Sequence, residues 1–318
     1  MSSIAAASQP PIVVIGSLNA DLVQRVSRLP RPGETITGSE LVIVPGGKGA
    51  NQAYAAARLG GDVHMIGQVG EDAFGPALIH HLAAAGVDTS GIQNCSTATG
   101  TAVILVLPNG ENVIIIAPGA NGKLSPDLAT DRLAVIERGS IVLLQLEIPL
   151  ETIEVCLATA RERGAITILD PAPAQVLSPT LLAMVDYLTP NQTEAAFLLK
   201  AEREASSPQE AEDAARKLLL QGPSNVILKL GELGVVIADT AACAHVPGFS
   251  VKAVDSTAAG DTFNGALAFA LSHNTPLLEA ARFANAAAAI SVTRHGAQSS
   301  IPDLSEVRSL LAGSHNPS

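Results

Sequence analysis

The 318-residue sequence contains no tryptophan, and aromatic residues make up only 3% of it. Charged residues are also few, at 15%, whereas hydrophobic residues reach 47%, so a large core is expected and extensive disorder is not. The formal net charge is -11 and no basic cluster interrupts it, which argues against a nucleic acid or an anionic membrane as partner. No apolar run reaches membrane-spanning length.

Cysteine is scarce too, with Cys95, Cys156 and Cys243 far apart and no CxxC pair. This usage is typical of reduced thiols, so we expect a cytoplasmic protein. Residues 1–10 contain neither basic residues nor a long apolar stretch, which favours a frayed tail over a secretion signal or transit peptide. The P-loop spacing GxxxxGK[ST] and the GxGxxG pattern are both missing, and the second absence argues against a nicotinamide dehydrogenase.

Short apolar runs recur along the chain with helical patterns between them. The runs at 11–17, 140–147 and 165–170 have the length and composition of buried parallel strands. This alternation predicts an α/β fold with a mainly parallel central sheet.

Two segments interrupt that alternation. Residues 20–45 alternate polar and apolar side chains around the turn PRPGE, and residues 99–118 carry Asn109-Gly110, a strong hairpin signal. We expect these antiparallel strands to pair into a small sheet that projects from the main one as a lid. The apolar content of this sheet predicts that a partner subunit covers its second face, giving a homodimer.

The stretch DSTAAGDTFNGALAFAL, residues 255–271, predicts a buried helix that begins at Asp261 after a turn of small residues. The start of such a helix presents unpaired N–H groups and the positive end of the helix dipole, which suits an anion such as phosphate. Asp261 would then act there as a proton acceptor or a metal contact. The alternative is that Asp261 is only the helix N-cap.

Other polar positions each allow a functional and a structural interpretation. Asn19 and Asp21 follow the first strand, where α/β proteins bind ligands, or they form an Asx turn. The segment 45–60, PGGKGANQAYAAARLG, is a glycine turn into a helix that offers amides, Lys48 and Asn51 to a sugar or phosphate, or it is a hinge with a solvated lysine.

Asn191 and Glu194 are about one helical turn apart after a strand, which suits a hydrated Mg²⁺ or a helix cap. Gly231 and Gly234 permit a close backbone approach to a ligand, and a plain β-turn explains them equally well.

Five motifs occur together in this chain: SLNAD at 17–21, GGKGANQA at 46–53, NQTEA at 191–195, DSTAAGDTFNGAL at 255–267 and RHGAQSS at 294–300. In this order and spacing, from about Ile12 to about Pro302, they resemble the ribokinase (PfkB) family of ATP-dependent carbohydrate kinases, which includes fructokinase and adenosine kinase. The resemblance implies a single three-layer α/β/α domain over residues 11–305 with a small β-sheet lid, and tails at 1–10 and 306–318.

The resemblance implies transfer of phosphate from ATP to a sugar, with D-ribose at O5 favoured and a fructose or a nucleoside as the alternative. A catalytically silent sugar-binding protein is disfavoured because a pure binder has no need of a carboxylate beside phosphate. Asp261 matches the family's catalytic base. The positions that match the anion hole are Ala258, Ala259 and Gly260, and those that match sugar contacts are Asn19, Asp21, Gly47, Lys48, Asn51 and Glu147.

The resemblance also implies a nucleotide site, with Mg²⁺ held through water near Asn191 and Glu194, and an activating K⁺. The nucleotide positions are Asn191, Glu194, Lys229, Leu230, Gly231, Glu232, Leu233, Gly234, Gly260 and Asn285. The K⁺ positions are Asp255 and Ser300, through their side chains, and Thr257, Ser291, Arg294 and Gly296, largely through carbonyl groups. Lys229 stands where the family often has threonine, and it either reaches the ATP phosphates or points away.

Overall fold

Strands and helices alternate along residues 9–108 and 111–313, which are the residues that the computed structural model describes. The strands are β1 (Ile12–Ile15), β2 (Asn19–Arg25), β3 (Val42–Gly46), β4 (Val63–Gly70), β5 (Asp88–Cys95), β6 (Gly100–Val106), β7 (Asn112–Ala117), β8 (Ile141–Gln145), β9 (Ile166–Asp170), β10 (Tyr187–Leu188), β11 (Asn225–Lys229), β12 (Val235–Ala238) and β13 (Cys243–Val246). The α-helices are α1 (Lys48–Arg58), α2 (Phe74–Ala84), α3 (Pro126–Thr130), α4 (Leu150–Glu162), α5 (Pro179–Leu182), α6 (Gln192–Leu199), α7 (Pro208–Leu219), α8 (Ala259–Ser272), α9 (Leu277–Ser291) and α10 (Leu304–Gly313).

Nine of the strands form one sheet in the order β13-β12-β11-β10-β9-β8-β1-β4-β5. All neighbouring pairs from β11 through to β5 are parallel, and β12 and β13 extend the other edge as antiparallel strands. The predicted α/β fold with a mainly parallel sheet is therefore confirmed.

Helices cover both faces of this sheet, because successive residues of each strand point to opposite sides. In β1, Ile12 and Val14 join a core with α1, α8 and α9, whereas Val13 and Ile15 join a second core with α4 and α7. The three layers that the sequence resemblance implied are thus present. Within the described residues, no helix is both long and apolar enough to cross a membrane.

The interrupting segments form a separate four-stranded sheet in the order β3-β2-β6-β7. The pairs β2–β3 and β6–β7 are antiparallel as expected, while β2 and β6 join the two segments in parallel. The small lid sheet is confirmed. The predicted turn residues Asn109 and Gly110 lie outside the described residues.

Two boundaries differ from the sequence-based expectation. Helix α8 begins at Ala259, two residues before Asp261, because Ala258 takes a left-handed backbone conformation and the chain turns into the helix there. Helix α10 (Leu304–Gly313) includes residues 306–313 of the expected C-terminal tail, and its Val307 is buried against the first core. The spacing of Val307, Leu310 and Leu311 is that of one apolar helix face.

Candidate active site

Chemically active side chains gather along the carboxyl edge of the main sheet. Ser17 follows β1, Glu147 follows β8, Asp170 ends β9, Asn191 follows β10 and Lys229 ends β11. The carboxyl ends of parallel strands meet at one edge, so residues far apart in the chain come together here. The lid begins at this same edge, since β2 starts at Asn19.

A cavity of about 410 Å³ opens at this edge beside the start of α8. Several of the predicted nucleotide residues line it, and so does the predicted base, Asp261. Its lining consists of Lys48, Asp170, Asn191, Gln192, Thr193, Glu194, Lys229, Gly231, Ser256, Ala258, Ala259, Gly260 and Asp261.

The start of α8 offers backbone amides to this cavity. Ala258 has φ 57° and ψ 15°, a conformation that costs an alanine free energy and is found most often at functional sites. The N–H of Ala259 donates to the Ser256 carbonyl at 3.2 Å, so this predicted anion-hole amide is already engaged. Among the described groups, none accepts from the N–H of Gly260 or Asp261, which leaves both available to an anion.

Asp261 is not the N-cap that the sequence left open as an alternative, because that position belongs to Ala258. Its buried carboxylate instead accepts from Asn51 Nδ2 at 2.9 Å and from Gln52 Nε2 at 3.1 Å. Burial raises the pKa of Asp261 to about 6; the nearby charge of Asp170 adds to this, while Lys48 and the two amides oppose it. A carboxylate with such a pKa is suited to accept a proton near neutral pH.

Asp170 is a site residue that our sequence analysis missed. Its Oδ1 forms an ion pair with Lys229 Nζ at 3.0 Å, and its Oδ2 accepts from Gln52 Nε2 at 3.0 Å. The side chains of Asp170 and Lys229 are only 3% and 12% exposed, so this pair is shielded from water. The available signal was an acidic residue at the end of the apolar run ITILD, at the edge where ligands bind.

Lys48 lines the same cavity and faces a group of acids. Burial alone would lower the pKa of its ammonium, but the charges of Asp261, Asp170 and Glu147 more than offset this and hold the pKa above its usual range. Lys48 is therefore a permanent cation between the predicted sugar and nucleotide positions.

The predicted sugar positions cluster where the lid meets the main sheet. A Cβ on Gly46 would lie 2.1 Å from Asp21 Oδ2, so glycine is required by the close approach of β3 to β2. Gly47 has φ 89°, and a Cβ there would lie 2.8 Å from the Asn19 backbone nitrogen. Burial raises the pKa of Asp21 to about 7, with further contributions from the charges of Glu147 and Asp261. At neutral pH its carboxyl group can both donate and accept hydrogen bonds.

Two buried partners orient the remaining sugar positions. Asn19 Oδ1 accepts from Asn121 Nδ2 at 2.8 Å, and Asn121 also pairs with the backbone N–H and carbonyl of Leu18. Glu147 accepts from the Ser17 hydroxyl and from the Lys48 N–H. Asn121 and Ser17 were missed because neither stands in a position that the sequence pattern singled out as a ligand contact.

Asn191 and Glu194 form a helix cap and also line the cavity. Asn191 Oδ1 accepts from the Glu194 N–H at 2.8 Å, and both Glu194 carboxylate oxygens accept from Asn191, so the capping interpretation holds for α6. Burial raises the pKa of Glu194 and the charge of Lys229 opposes it. Carboxylate lone pairs that Asn191 does not use can still accept hydrogen bonds from the water shell of a cation.

The turn from Lys229 to Gly234 supplies two residues to the cavity lining. Lys229 and Gly231 line the cavity, whereas Leu230 is buried in the second core and Gly234 closes the hairpin between β11 and β12. Asn285 is not part of the cavity lining; its amide donates to the carbonyls of Val246 and Pro247 and fixes the chain that leaves β13.

The predicted K⁺ residues lie in two segments that are tied to each other. Asp255 Oδ1 accepts from the N–H and hydroxyl of Thr257, and its Oδ2 accepts from the Gly296 N–H at 2.9 Å. The hydroxyls of Ser291 and Ser300 donate to the carbonyls of Ala288 and Ala297, which leaves their lone pairs available. Arg294 forms an ion pair with Glu306.

Comparisons with known proteins show which family this chain resembles. A model of the pfkB family of carbohydrate kinases matches residues 9–304. The chain is 44% identical over 301 residues to the ribokinase of Haemophilus influenzae, covering 94% of this chain and 98% of that protein. Ribokinase from Thermotoga maritima is structurally similar, with a TM-score of 0.86, 42% identity and coverage of 95% and 99%. Arabidopsis thaliana ribokinase complexed with ribose and ATP gives a TM-score of 0.88 at 35% identity, with coverage of 95% and 98%.

Proposed function

This chain belongs to the pfkB family of carbohydrate kinases, and from that premise we propose that it is a ribokinase, which transfers the γ-phosphoryl group of ATP to O5 of D-ribose. The observation that carries the proposal is the position of Asp261. Its carboxylate lines the cavity that has free amide donors, and it accepts from Asn51, one of the predicted sugar positions. In this position Asp261 can contact both a sugar hydroxyl group and the phosphate that this hydroxyl attacks.

The reaction follows from this placement. The O5 hydroxyl of ribose gives its proton to Asp261, the bond from O5 to the γ-phosphorus forms, and the bond from that phosphorus to the bridging oxygen breaks to release ADP. The N–H groups of Gly260 and Asp261 and the positive end of α8 stabilise the charge on the transferred group. Lys48 adds a cation on the sugar side of the same cavity.

The predicted sugar positions suit an uncharged polyol. Besides burial, the charges of Glu147 and Asp261 raise the pKa of Asp21, so these two carboxylates lie near it. Together the three acids would repel a phosphorylated sugar. Asn19 uses its oxygen to accept from Asn121, and its NH₂ group would donate to a ligand hydroxyl. We therefore favour free ribose; a fructose or a nucleoside is the alternative within the family.

The nucleotide requires a divalent cation, because the cavity carries three carboxylates, Asp170, Glu194 and Asp261, against the ammonium groups of Lys48 and Lys229. Mg²⁺ bound with ATP supplies the missing positive charge. Asn191 and Glu194 would hold its water shell, which fits the free lone pairs of Glu194. Among the described residues, no group of three or more histidines, cysteines or acids could hold a metal ion.

The substrate assignment is tested by an ADP-release assay with ATP, Mg²⁺ and a panel of D-ribose, 2-deoxy-D-ribose, D-fructose and adenosine. We expect the highest kcat/KM with D-ribose, because the polar pocket pairs with its hydroxyl groups. A preference for fructose or adenosine would replace ribokinase by the sibling activity.

The role of Asp261 is tested with Asp261→Asn. Loss of the base should lower kcat by about 10²- to 10⁴-fold while ribose still binds in a calorimetric titration. In the unaltered enzyme kcat/KM should fall about tenfold per pH unit below pH 6, because the raised pKa of Asp261 means that it is protonated there and cannot accept a proton. Asp239→Asn, in the turn that follows β12 and outside the cavity lining, is the matched control and should keep full activity. Near-normal turnover in Asp261→Asn would exclude this mechanism.

We further propose that K⁺ activates the enzyme through oxygens of Asp255, Thr257, Ser291, Arg294, Gly296 and Ser300. The loop that contains Gly296 also reaches the base, since Gln298 Nε2 donates to Asn51 Oδ1 and Asn51 donates to Asp261. A cation that orders the 255–257 and 294–300 segments would thus order the start of α8 as well.

For this site we expect activity to be higher in KCl than in NaCl at equal ionic strength. Asp255→Asn should reduce that difference because it removes the charge that draws the cation. Equal rates in both salts would remove the K⁺ assignment without affecting that of the base.

We also propose a homodimer formed through the lid. Strand pairing places Ile43, Leu22, Val103 and Ile115 in one row across the sheet, on the face opposite Asp21, because Asp21 is in the adjacent row. Ile43, Val103 and Ile115 are 51%, 40% and 64% exposed, which is unusual for a row of large apolar side chains. A second copy of the same sheet would cover this row.

Light scattering at micromolar concentration should therefore give the mass of a dimer. Ile115→Lys should give a monomer, since a lysine cannot be buried unpaired in the interface. Leu220→Lys, at an exposed apolar position outside the lid, is the control and should stay dimeric. A monomeric wild-type protein would contradict the proposal.

Two broader proposals complete this assignment. The domain expected at 11–305 extends through α10 and carries the lid as an insertion, and the protein is cytoplasmic. The second is supported by Cys95, Cys156 and Cys243, which are free thiols.

A further inference from the structure

The ion pair of Asp170 and Lys229 spans the sheet edge directly beside the phosphate cavity. Asp170 ends β9 and Lys229 ends β11, and the short strand β10 lies between them. Both residues line the cavity. A Cβ on Gly260 would lie 3.4 Å from Lys229 Nζ, so the ammonium group sits over the first turn of α8.

A single amide links this pair to the base. Gln52 Nε2 donates both to Asp170 Oδ2 at 3.0 Å and to Asp261 Oδ1 at 3.1 Å. The orientation of Gln52 is fixed because its Oε1 accepts from Gln145 Nε2 at 2.8 Å. Asp170 therefore uses one oxygen to hold the ammonium group and the other to share a donor with the base.

We propose that Asp170 is a positioning residue for phosphoryl transfer. It holds the ammonium group of Lys229 over the start of α8, where the transferred phosphoryl group binds. Through Gln52 it also fixes the position of this cation relative to Asp261. The inference rests on the ribokinase assignment and gives Lys229 a specific partner.

Position matters here because a cation stabilises the transition state only if it is already in place when the charge develops. An unrestrained lysine has a long, flexible side chain and would lose that advantage. The opposite charges of Asp170 and Lys229 also cancel before ATP binds. Removing one partner leaves the other charge unpaired, so the effect of a substitution at Asp170 on kcat and ADP affinity depends on whether Lys229 is present.

The test compares Asp170→Asn, Lys229→Met and the double variant. Asp170→Asn keeps the side-chain shape but frees the ammonium group, so kcat should fall about tenfold or more while KM for ATP stays within about twofold. Lys229→Met should lower kcat further and weaken ADP binding, because an unpaired Asp170 then faces the phosphates. Adding Asp170→Asn to Lys229→Met should restore ADP affinity and part of kcat.

Asp170→Asn is thus expected to lower kcat in the wild-type enzyme and to raise it in Lys229→Met. In a purely structural role, Asp170→Asn would lower kcat in both proteins, because it would act by reducing stability. Asp186→Asn is the matched control: this half-buried carboxylate accepts from Thr167 near the opposite end of β9, so its loss should lower the melting temperature without changing kcat.

A wild-type kcat in Asp170→Asn, or no recovery in the double variant, would overturn the proposal. Calorimetric binding of ADP needs no sugar, so this result remains interpretable if the wild-type enzyme fails to phosphorylate ribose. That failure would concern the substrate assignment alone.

Discussion

The close contact between helices α1 and α8 is the constraint on which the site depends. A Cβ on Gly265 would lie 2.6 Å from both Ala55 Cβ and the Gln52 carbonyl, so only glycine permits this approach. The contact brings the amides of Asn51 and Gln52 to Asp261, which is 210 and 209 residues away in sequence. Because both amides donate, the carboxylate is held in one orientation although it is buried.

Burial gives the acids of this site different properties from those of surface acids. Asp261 and Asp21 both have raised pKa values because desolvation penalises their charged forms and neighbouring carboxylates repel them. Lys48 and Lys229 offset part of this cost, and hydrogen bonds stabilise the rest. The result is a buried cluster of opposite charges that can accept a proton, and whose remaining negative charge makes a cation-bound nucleotide the natural ligand.

The two sheets supply different residues to the site. The carboxyl edge of the main sheet and the start of α8 supply the residues for phosphate and base, whereas β2 of the lid carries Asn19 and Asp21, and Asp21 is close enough to feel the charge of Asp261. Asn121 fixes the junction by pairing with the backbone of Leu18 and with the side chain of Asn19. The lid is thus fixed at residues 18 and 19, where it leaves the main sheet. Asp21 lies further along β2, so it would move with the lid strands.

The sequence alone determined the alternation of strands and helices, the two lid segments and the importance of the turn before Asp261, because these depend on local composition and on spacing within short motifs. It did not single out Gln52, Gln145 or Asn121, because each belongs to the site only through partners on other elements of the fold, and it passed over Asp170 at the end of its apolar run. It also misplaced the start of α8 and left α10 within an expected tail. Only the tertiary structure decided that Asn285 holds a loop while Lys229 faces Asp170, since the direction of a side chain is set by packing and charge from distant segments.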